Sequence, residues 1–245
     1  MDNLTAAAAS GMRSRMQALD ILANNLANSS SRGYKSDREI STMYTPPDAY
    51  SPKTGDNQQE PWVNGSWTNF SQGVLETTGS QLDLALQGPG FLTVRGPSGN
   101  LYTRNGTLSL STSGELMGPE NRAVIDKQNR VVKLDPSKPF TIGPTGEVKQ
   151  ENATIAQLNI VEFANPAALV KMGQAYFSAP ANTQPVAAKA TDVRQGLVES
   201  SNTVPAESAV RLVTVLRQFE MLQKAISVGS EMNRRAMEEV AKITP

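Results

Sequence analysis

The stretch ILANNLANSSSRGYKSD, residues 21–37, decides how the rest of the sequence is interpreted, because a predicted helix ends inside it. Asn24, Asn25 and Asn28 crowd the end of that helix, and three serines and the segment RGYK follow. Asn and Ser side chains compete with a helix for its backbone hydrogen bonds and are therefore unfavourable in helix interiors. The stretch predicts a helix end whose polar groups must find partners elsewhere.

A long N-terminal helix is predicted over residues 4–28. Its apolar residues recur at spacings of three or four, which places them on one helix face. This stripe consists of Leu4, Ala8, Met12, Met16, Leu19, Ala23 and Leu26. Because isolated helices are marginally stable in water, we expect the stripe to be buried against another element.

The composition excludes several classes of active site. The 245 residues include no cysteine and no histidine, which rules out disulfides, Ser-His-Asp triads and HExxH zinc helices. Lys plus Arg and Asp plus Glu both number 23, whereas a general nucleic-acid binder usually carries a basic surface. We expect no catalytic residue, no metal, no cofactor, no small-molecule substrate and no nucleic-acid partner.

The N-terminal sequence does not resemble a cleavable secretion signal. Asp2 is acidic, and Arg13 and Arg15 interrupt any apolar segment, whereas such signals begin with basic residues and continue with an apolar run. No run approaches the ~18 apolar residues of a membrane-spanning helix. We therefore expect neither a cleaved signal nor a membrane span.

Short strands are predicted in the middle of the chain. Apolar segments separated by turn sequences recur about every 8 to 12 residues through residues 63–180, which predicts a central all-β domain. Asn105-Gly106 is a dipeptide typical of hairpins, and residues 167–173 predict a short helix. The proline-rich residues 44–62 predict a linker, and residues 181–194 predict a second connector.

The strongest periodic signal lies near the C-terminus. Pro205 marks the start of a helix, because the missing N–H of proline is harmless in a first turn. Residues then recur at alternating spacings of three and four, which is typical of a coiled-coil seam. The apolar seam positions are Leu212, Val215, Phe219, Leu222, Ile226, Val240 and Ile243, with Gly229, Asn233 and Ala236 between them.

Together these segments predict an α+β chain. Residues 1–43 carry the N-terminal helix and its polar signature, and residues 195–245 carry the C-terminal helix. Because both helices have an apolar stripe that needs burial, we expect them to pair in a coiled-coil-like stalk, with the β domain outside it. The alternative is that the two helices pack independently onto the β domain.

Three sequence blocks resemble the flagellar axial proteins, the family of rod, hook and hook-associated subunits. The block NNLANSSSRGYK is similar to the N-terminal signature of that family, with Ser31 in place of the usual Thr and Tyr34 at the aromatic position. The block QGLVESSN, residues 195–202, resembles the C-terminal motif, with Val198 replacing Leu. Residues 82–116, which contain LDLALQGPGF and LYTRNG, resemble the rod-and-hook pattern.

The blocks occur in the order found in flagellar basal-body rod proteins, and the chain resembles the FlgF/FlgG group of these proteins. The segment RQFEM in the C-terminal helix and the length of the chain favour the FlgF-like, proximal-rod type. A FlgG-like distal rod protein or another hook-type axial subunit is the alternative. A wall-cleaving hydrolase is a remote third interpretation.

The resemblance implies a structural protein of the bacterial flagellum basal body, not an enzyme. It implies export through the flagellar type III apparatus without a cleaved signal, and polymerisation with itself and with neighbouring rod subunits. The resulting periplasm-spanning rod would serve motility by transmitting torque. The residues expected to act in assembly are Asn24, Asn25, Leu26, Ala27, Asn28, Gly33, Tyr34, Lys35, Glu199, Ser201 and Asn202.

Asn24 and Asn28 lie four residues apart, so they share one face if the helix continues through both. We expect their amides to fix the register between neighbouring subunits, because hydrogen bonds are directional and apolar surfaces can slide. Local capping is the alternative role for Asn28.

Five other residues have ordinary explanations that outweigh chemical ones. Glu115, Glu120 and Asp126 are expected to be solvated turn charges instead of the carboxylate pair of a glycosidase. Trp62 and Trp67 are expected to close the linker against the β domain instead of forming a carbohydrate platform.

Overall fold

The computed structural model describes residues 3–44, 60–151, 153–173 and 175–243. It contains a long helix near each end of the chain and a β-rich centre, which confirms the predicted α+β class. Helix α1 spans Asn3–Ala27, and helix α2 spans Pro205–Ile243, so α2 begins at the proline that the sequence indicated. Over the described positions, neither helix has a stretch long and apolar enough to cross a membrane.

Eighteen short strands are described between the helices. They are β1 (Asp37–Tyr44), β2 (Glu60–Thr68), β3 (Leu75–Thr77), β4 (Leu84–Gln87), β5 (Phe91–Gly96), β6 (Gly99–Thr103), β7 (Ser109–Leu110), β8 (Leu116–Gly118), β9 (Arg122–Ala123), β10 (Phe140–Ile142), β11 (Glu147–Gln150), β12 (Ala153–Gln157), β13 (Ile160–Glu162), β14 (Val170–Met172), β15 (Tyr176–Ser178), β16 (Val186–Ala187), β17 (Asp192–Gln195) and β18 (Leu197–Glu199).

The described residues form two compact units. The helix unit takes its residues from 1–26, 37–67 and 204–245, and thus contains α2, β1, and all but the last residue of α1 and of β2. The β unit takes its residues from 27–36 and 68–203. The N-terminal signature is therefore divided between the two units after Leu26.

The β unit is built around a six-stranded antiparallel sheet in the order β14-β15-β6-β5-β13-β16. Successive side chains of a strand point to opposite faces, and β5 uses both faces. Leu92 and Val94 enter the main hydrophobic core, whereas Phe91 enters a second cluster. In that cluster the rings of Phe91 and Phe163 meet edge to face at 5.7 Å, a favoured aromatic geometry.

The buried face of α1 is not the stripe that the sequence predicted. Ser14 and Ala18 are buried, whereas Met16 is 55% exposed. A Cβ atom built at Gly11 would lie 3.4 Å from Leu222 Cδ1, so α1 and α2 approach each other where α1 has small residues. The prediction was wrong because it assumed that the large apolar side chains form the buried face. The distance between two packed helices depends on the side chains at the contact, and small ones allow a close approach.

The predicted seam of α2 is the half-buried face of this helix in the single chain. Leu212, Val215, Phe219, Leu222 and Ile226 are all half-buried. The side chains of Val240 and Ile243 lie outside the described part of the structure.

Several segments form strands where the sequence predicted loops or a helix. Strands β1 and β2 flank residues 45–59, the part of the predicted linker that lies outside the described residues. The predicted connector at 181–194 contributes β16 and most of β17. Of the helix predicted over 167–173, only the start is helical, as a 3-10 turn over Pro166–Ala168, and Val170–Met172 form β14. Strand formation depends on pairing partners more than on local propensity, so these short segments carried little signal.

Asn105-Gly106 is not the hairpin turn that the sequence suggested. Strand β6 ends before it, and β7 pairs with β8 instead of β6. A Cβ atom at Gly106 would lie 1.9 Å from the carbonyl oxygen of Leu84. Glycine is required here because another backbone segment approaches too closely for any side chain.

Candidate functional site

A buried group of three charged side chains, the Glu199 cluster, brings the three sequence blocks together. It consists of Lys35, Arg104 and Glu199, all within the β unit. Lys35 Nζ donates to Glu199 Oε1 at 2.6 Å, and Arg104 Nε donates to Glu199 Oε2 at 2.9 Å. The side chains of Lys35 and Glu199 are fully buried, and that of Arg104 is 3% exposed.

The Arg104 guanidinium is held mainly by backbone carbonyl groups. Its Nη1 donates to the carbonyl oxygens of Gly88 and Gly90, and its Nη2 donates to that of Leu86 at 3.3 Å. The guanidinium carbon also lies 5.8 Å from the centre of the Phe91 ring. Together with the bond to Glu199, these contacts keep the Arg104 guanidinium hydrogen-bonded although it is withdrawn from water.

The other two members of the cluster also form hydrogen bonds with backbone groups. The Gly73 amide donates to Glu199 Oε1 at 2.8 Å, and Lys35 Nζ donates to the carbonyl of Ser71 at 2.7 Å. Each carboxylate oxygen therefore accepts a bond from a cation, and one accepts a backbone amide as well. Buried ions are tolerated when they are paired and hydrogen-bonded in this way.

The cluster has two positive charges and one negative charge. Burial lowers the pKa of Lys35, Glu199 opposes that shift, and the Arg104 charge adds to it, so the pKa lies below its ordinary value. Since these side chains are withdrawn from solvent, a substrate cannot reach them. The arrangement can join chain segments, but it cannot act on a ligand.

Asn202 joins the same segments through its side-chain amide. The Ser36 amide donates to Asn202 Oδ1 at 2.8 Å, and Asn202 Nδ2 donates to the carbonyl oxygens of Asn69 at 2.7 Å and Ser71 at 3.1 Å. The Asn69 amide in turn donates to the Ser36 carbonyl at 2.8 Å. The side chain thus satisfies backbone groups that a neighbouring strand would otherwise satisfy.

Gly33 lies where no side chain fits. Its φ is +67°, a left-handed conformation that glycine adopts readily. A Cβ atom there would lie 2.4 Å from the Asn105 amide nitrogen and 2.5 Å from the Arg104 carbonyl carbon. The Gly33 amide also donates to the Glu199 carbonyl at 2.7 Å.

Tyr34 is buried, with 1% of its surface exposed. The Lys171 ammonium lies 4.1 Å from the centre of its ring and donates to the carbonyl of Lys35 at 2.8 Å. A cation over an aromatic face is attracted by the ring quadrupole. Lys171 therefore fixes two successive residues of the signature.

The three signature asparagines have different environments. Asn24 is exposed, whereas Asn25 and Asn28 are buried. Helix α1 ends at Ala27, so Asn28 lies beyond the helix, where its Oδ1 accepts a bond from Ser31 Oγ at 3.2 Å. The helix does not continue through Asn28, so Asn24 and Asn28 do not share one face of it as the sequence suggested.

The remaining signature residues lie outside the Glu199 cluster. Leu26 is half-buried and Ala27 is exposed. Ser201 Oγ accepts a bond from the Thr203 amide at 3.1 Å, which stabilises the turn between β18 and α2.

The carboxylates considered for acid–base chemistry each pair with a cation instead of with one another. The pairs are Glu115 with Lys133 at 3.0 Å, Glu120 with Arg122 at 3.5 Å and Asp126 with Arg130 at 2.7 Å. In the part of the chain that is described, no group of three or more acidic residues could hold a metal ion. Trp67 is 41% exposed, with the Arg38 guanidinium 5.9 Å from its ring, and the Trp62 side chain is outside the described part.

Sequence reasoning assigned no role to Arg104 or Glu162. Arg104 lies in the LYTRNG block, directly after a predicted apolar strand, and this position could have indicated a buried charge. Glu162 accepts bonds from Thr191 Oγ1 at 2.7 Å and from the amides of Ala190 at 2.9 Å and Lys189 at 3.1 Å. It thereby fixes the segment that was predicted to be an irregular connector.

Three family descriptions match successive parts of the chain. "Flagella basal body rod protein" matches residues 6–35, "Flagellar hook protein FlgE/F/G D1 domain" matches residues 85–150, and "Flagellar basal body rod FlgEFG protein C-terminal" matches residues 194–239. Lys35, Arg104 and Glu199 each lie in a different matched segment.

Relatives that align over most of their length are named as flagellar basal-body rod proteins. The chain is 31% identical to the flagellar basal-body rod protein FlgG of Agrobacterium fabrum, over 93% of this chain and 95% of that protein. It is 29% identical to FlgF of Caulobacter vibrioides, over 99% and 100% of the two chains, and 29% identical to FlgF of Mesorhizobium japonicum, over 82% and 83%. The chain therefore belongs to the family of flagellar basal-body rod proteins that includes FlgF and FlgG.

Proposed function

We propose that the chain is a non-enzymatic subunit of the proximal flagellar rod, of the FlgF type, which polymerises through its terminal helices and transmits torque. The observation that carries this proposal is an exposed row of apolar residues on α2, the α2 stripe: Val210, Met221, Val228 and Met232. Membership of the rod family supports the structural role, and the stripe offers a surface for association between subunits.

The α2 stripe lies on one side of the helix. Its members are 11, 7 and 4 residues apart, close to three, two and one turns of a helix with about 3.6 residues per turn. They are 68%, 64%, 48% and 66% exposed, while the seam residues of the same helix are half-buried. A row of exposed large apolar side chains is typical of an interaction site, and burying each fully contributes about 1.5–3 kcal/mol.

Helix α1 likewise has a buried face and a face with exposed apolar side chains. Ser14 and Ala18 are buried, whereas Met16 is 55% exposed and Met12 and Leu19 are only half-buried. Both helices therefore keep apolar side chains at the surface of the single chain. The occupant we propose is another copy of this chain or a related rod subunit, because a contact between unlike surfaces of identical subunits that does not close produces a helical filament.

Asn24 is our proposed register-setting residue between subunits. Its side chain is exposed on the last turns of α1, where an amide can donate and accept bonds in fixed directions. Asn28 has no part in this proposal because it is buried.

The FlgF assignment is supported by the alignment with the Caulobacter FlgF, which covers 99% of this chain and 100% of that protein. A FlgG-like position in the distal rod is the second candidate, since 31% identity is found with the Agrobacterium FlgG. Rod-family membership also underlies our proposals of export through the type III apparatus without a cleaved signal and of a periplasm-spanning location.

Gene deletion followed by electron microscopy of isolated basal bodies tests the proposal. We expect truncated rods and non-motile cells, with both restored by the unaltered gene. Normal rods in the deletion strain would overturn the structural role. A gold-labelled tag on the complementing subunit separates the two candidates, since label at the proximal end supports the FlgF type and label at the distal end the FlgG type.

A further inference from the structure

We infer that the Glu199 cluster makes two segments dock on the β unit in a fixed order. The C-terminal block, residues 195–202, docks first, and the signature loop, residues 28–36, docks second. Docking here means formation of the hydrogen bonds that hold each segment in the β unit. The inference rests on contacts within a single unit and is independent of the proposed role in the rod.

The signature loop alone has no favourable place for its charge. Lys35 is fully buried when docked, and the Arg104 guanidinium already occupies the same region. Without Glu199, the Lys35 and Arg104 charges would lie near each other with no anion to compensate them. Like charges without a counter-ion repel each other, so the loop docks after Glu199 is in place.

The C-terminal block meets no such obstacle. Arg104 and Glu199 form a neutral pair through the Nε–Oε2 bond of 2.9 Å, and the Gly73 amide adds a bond to the other carboxylate oxygen. Strand β18 also pairs with β3, and the Ser200 amide donates to the Val74 carbonyl at 2.9 Å. None of these bonds involves the signature loop.

Backbone hydrogen bonds also show that the signature loop depends on the C-terminal block more than the block depends on the loop. The Gly33 amide donates to the Glu199 carbonyl at 2.7 Å, and the Ser36 amide donates to Asn202 Oδ1 at 2.8 Å. Two amides of the loop therefore need acceptors that the C-terminal block supplies. In the other direction, the Asn202 amide donates to the Tyr34 carbonyl at 3.3 Å, a longer contact than either of these.

Native-state hydrogen exchange on the full chain tests the order, because local openings can expose one segment while another stays closed. We expect the Gly33 and Ser36 amides to exchange at least tenfold faster than the Ser200 and Gly73 amides, through an opening with a small denaturant dependence. Equal rates with the same denaturant dependence, or faster exchange at Ser200, would overturn the inference.

Two variants sharpen the test. Lys35→Met removes the ion pair that holds the signature loop to Glu199, so we expect faster exchange at Gly33. The Ser71 carbonyl still accepts a bond from Asn202, and exchange at Ser200 should stay within twofold of the unaltered chain. Glu199→Gln leaves both cations without an anion and should speed exchange at both amides, on the order of a hundredfold. Asp126→Asn, which alters another buried carboxylate of the β unit, is the matched control and should leave the ratio of the two rates unchanged.

If Lys35→Met accelerates Ser200 as much as Gly33, the two segments dock as one body and the order is refuted. If Glu199→Gln does not fold, the unaltered chain and Lys35→Met still decide the question, because both measurements rest on a C-terminal block with its carboxylate in place.

Discussion

The side-chain amide of Asn25 and the backbone of Asp37 are joined by two hydrogen bonds. Asn25 Nδ2 donates to the Asp37 carbonyl at 2.7 Å, and the Asp37 amide donates to Asn25 Oδ1 at 2.9 Å. The last turn of α1 is thereby tied to the first residue of β1 within the helix unit. The pairing explains why a weak helix former stands so near the end of this helix.

Replacing Asn25 by alanine is expected to destabilise the helix unit. Asn25 is 5% exposed, and the substitution leaves the Asp37 amide and carbonyl without these partners, which costs about 1–3 kcal/mol. Urea denaturation followed by far-ultraviolet circular dichroism measures the change. Gln17→Ala alters an exposed amide on the same helix and should stay within about 0.5 kcal/mol of the unaltered chain; equal effects would contradict the prediction.

Gly33→Ala is expected to be far more destabilising than Gly79→Ala. The two glycines have similar φ values, +67° and +72°, so the strain of a left-handed alanine, about 1–2 kcal/mol, is common to both. A Cβ atom at Gly33 also meets the backbone of Arg104 and Asn105, whereas no described atom lies within 4 Å of one at Gly79. We expect a difference of about 2 kcal/mol or more in the free energy of unfolding, and a smaller loss at Gly33 would refute the close approach.

Asp126 is expected to contribute to the pH dependence of stability. Burial raises the pKa of its carboxyl group, but hydrogen bonds from Arg130 and Gln128 outweigh burial, so the pKa lies below the ordinary value of 3.8. The stabilisation is therefore complete above the unfolded-state pKa and is lost as the pH falls through the lower folded-state pKa.

Unfolding measured at several pH values between neutrality and strong acid checks this sign. Asp126→Asn should lower the free energy of unfolding at pH 7, and the difference from the unaltered chain should shrink as the pH falls below about 4. Glu115→Gln is the control, since Glu115 is more exposed than Asp126 and its pairing with Lys133 should be weak. A difference that grows on acidification would contradict the assignment.

Introducing charge into the α2 stripe is expected to block assembly without unfolding the subunit. Met221→Glu combined with Val228→Glu places two carboxylates on the apolar face, where burial of an unpaired charge is costly. Because both side chains are exposed in the single chain, the melting temperature should change little. Soft-agar motility and electron microscopy of basal bodies should show non-motile cells without complete rods.

The matched control is Gln223→Glu combined with Ser227→Glu, which adds the same charge at exposed positions of the same helix. We expect nearly normal motility from this variant. Equal loss of motility in both double variants would show that added charge on α2, and not the apolar stripe, is responsible.

The long-range plan of the chain follows from patterns that need no tertiary information. Pro205 and the three–four spacing after it predicted where α2 begins and which of its faces is half-buried, since a helix face is set by 3.6-residue geometry alone. The β-rich centre was equally predictable from short apolar segments between turn sequences. The family resemblance identified Lys35 and Glu199 as signature residues, although it gave no reason for them.

Other features depended on partners that are distant in the sequence. The small-residue face of α1 became the buried one because Leu222 packs over Gly11, a contact between residues more than 200 positions apart. The strands near residues 170 and 186 form because neighbours in the six-stranded sheet accept them. Local sequence cannot encode such pairings, since strand stability lies in cross-strand contacts.

The sequence by itself determined the two helices, the β-rich centre, the absence of cysteine and histidine chemistry, and the three blocks that mark the family. Only the tertiary structure decided that those blocks meet at one carboxylate, with Lys35 and Arg104 bound to the two oxygens of Glu199. The physical reason is that a periodic pattern reports which face of an element avoids water. A buried ion pair depends instead on where the chain folds back, and 164 residues separate Lys35 from Glu199.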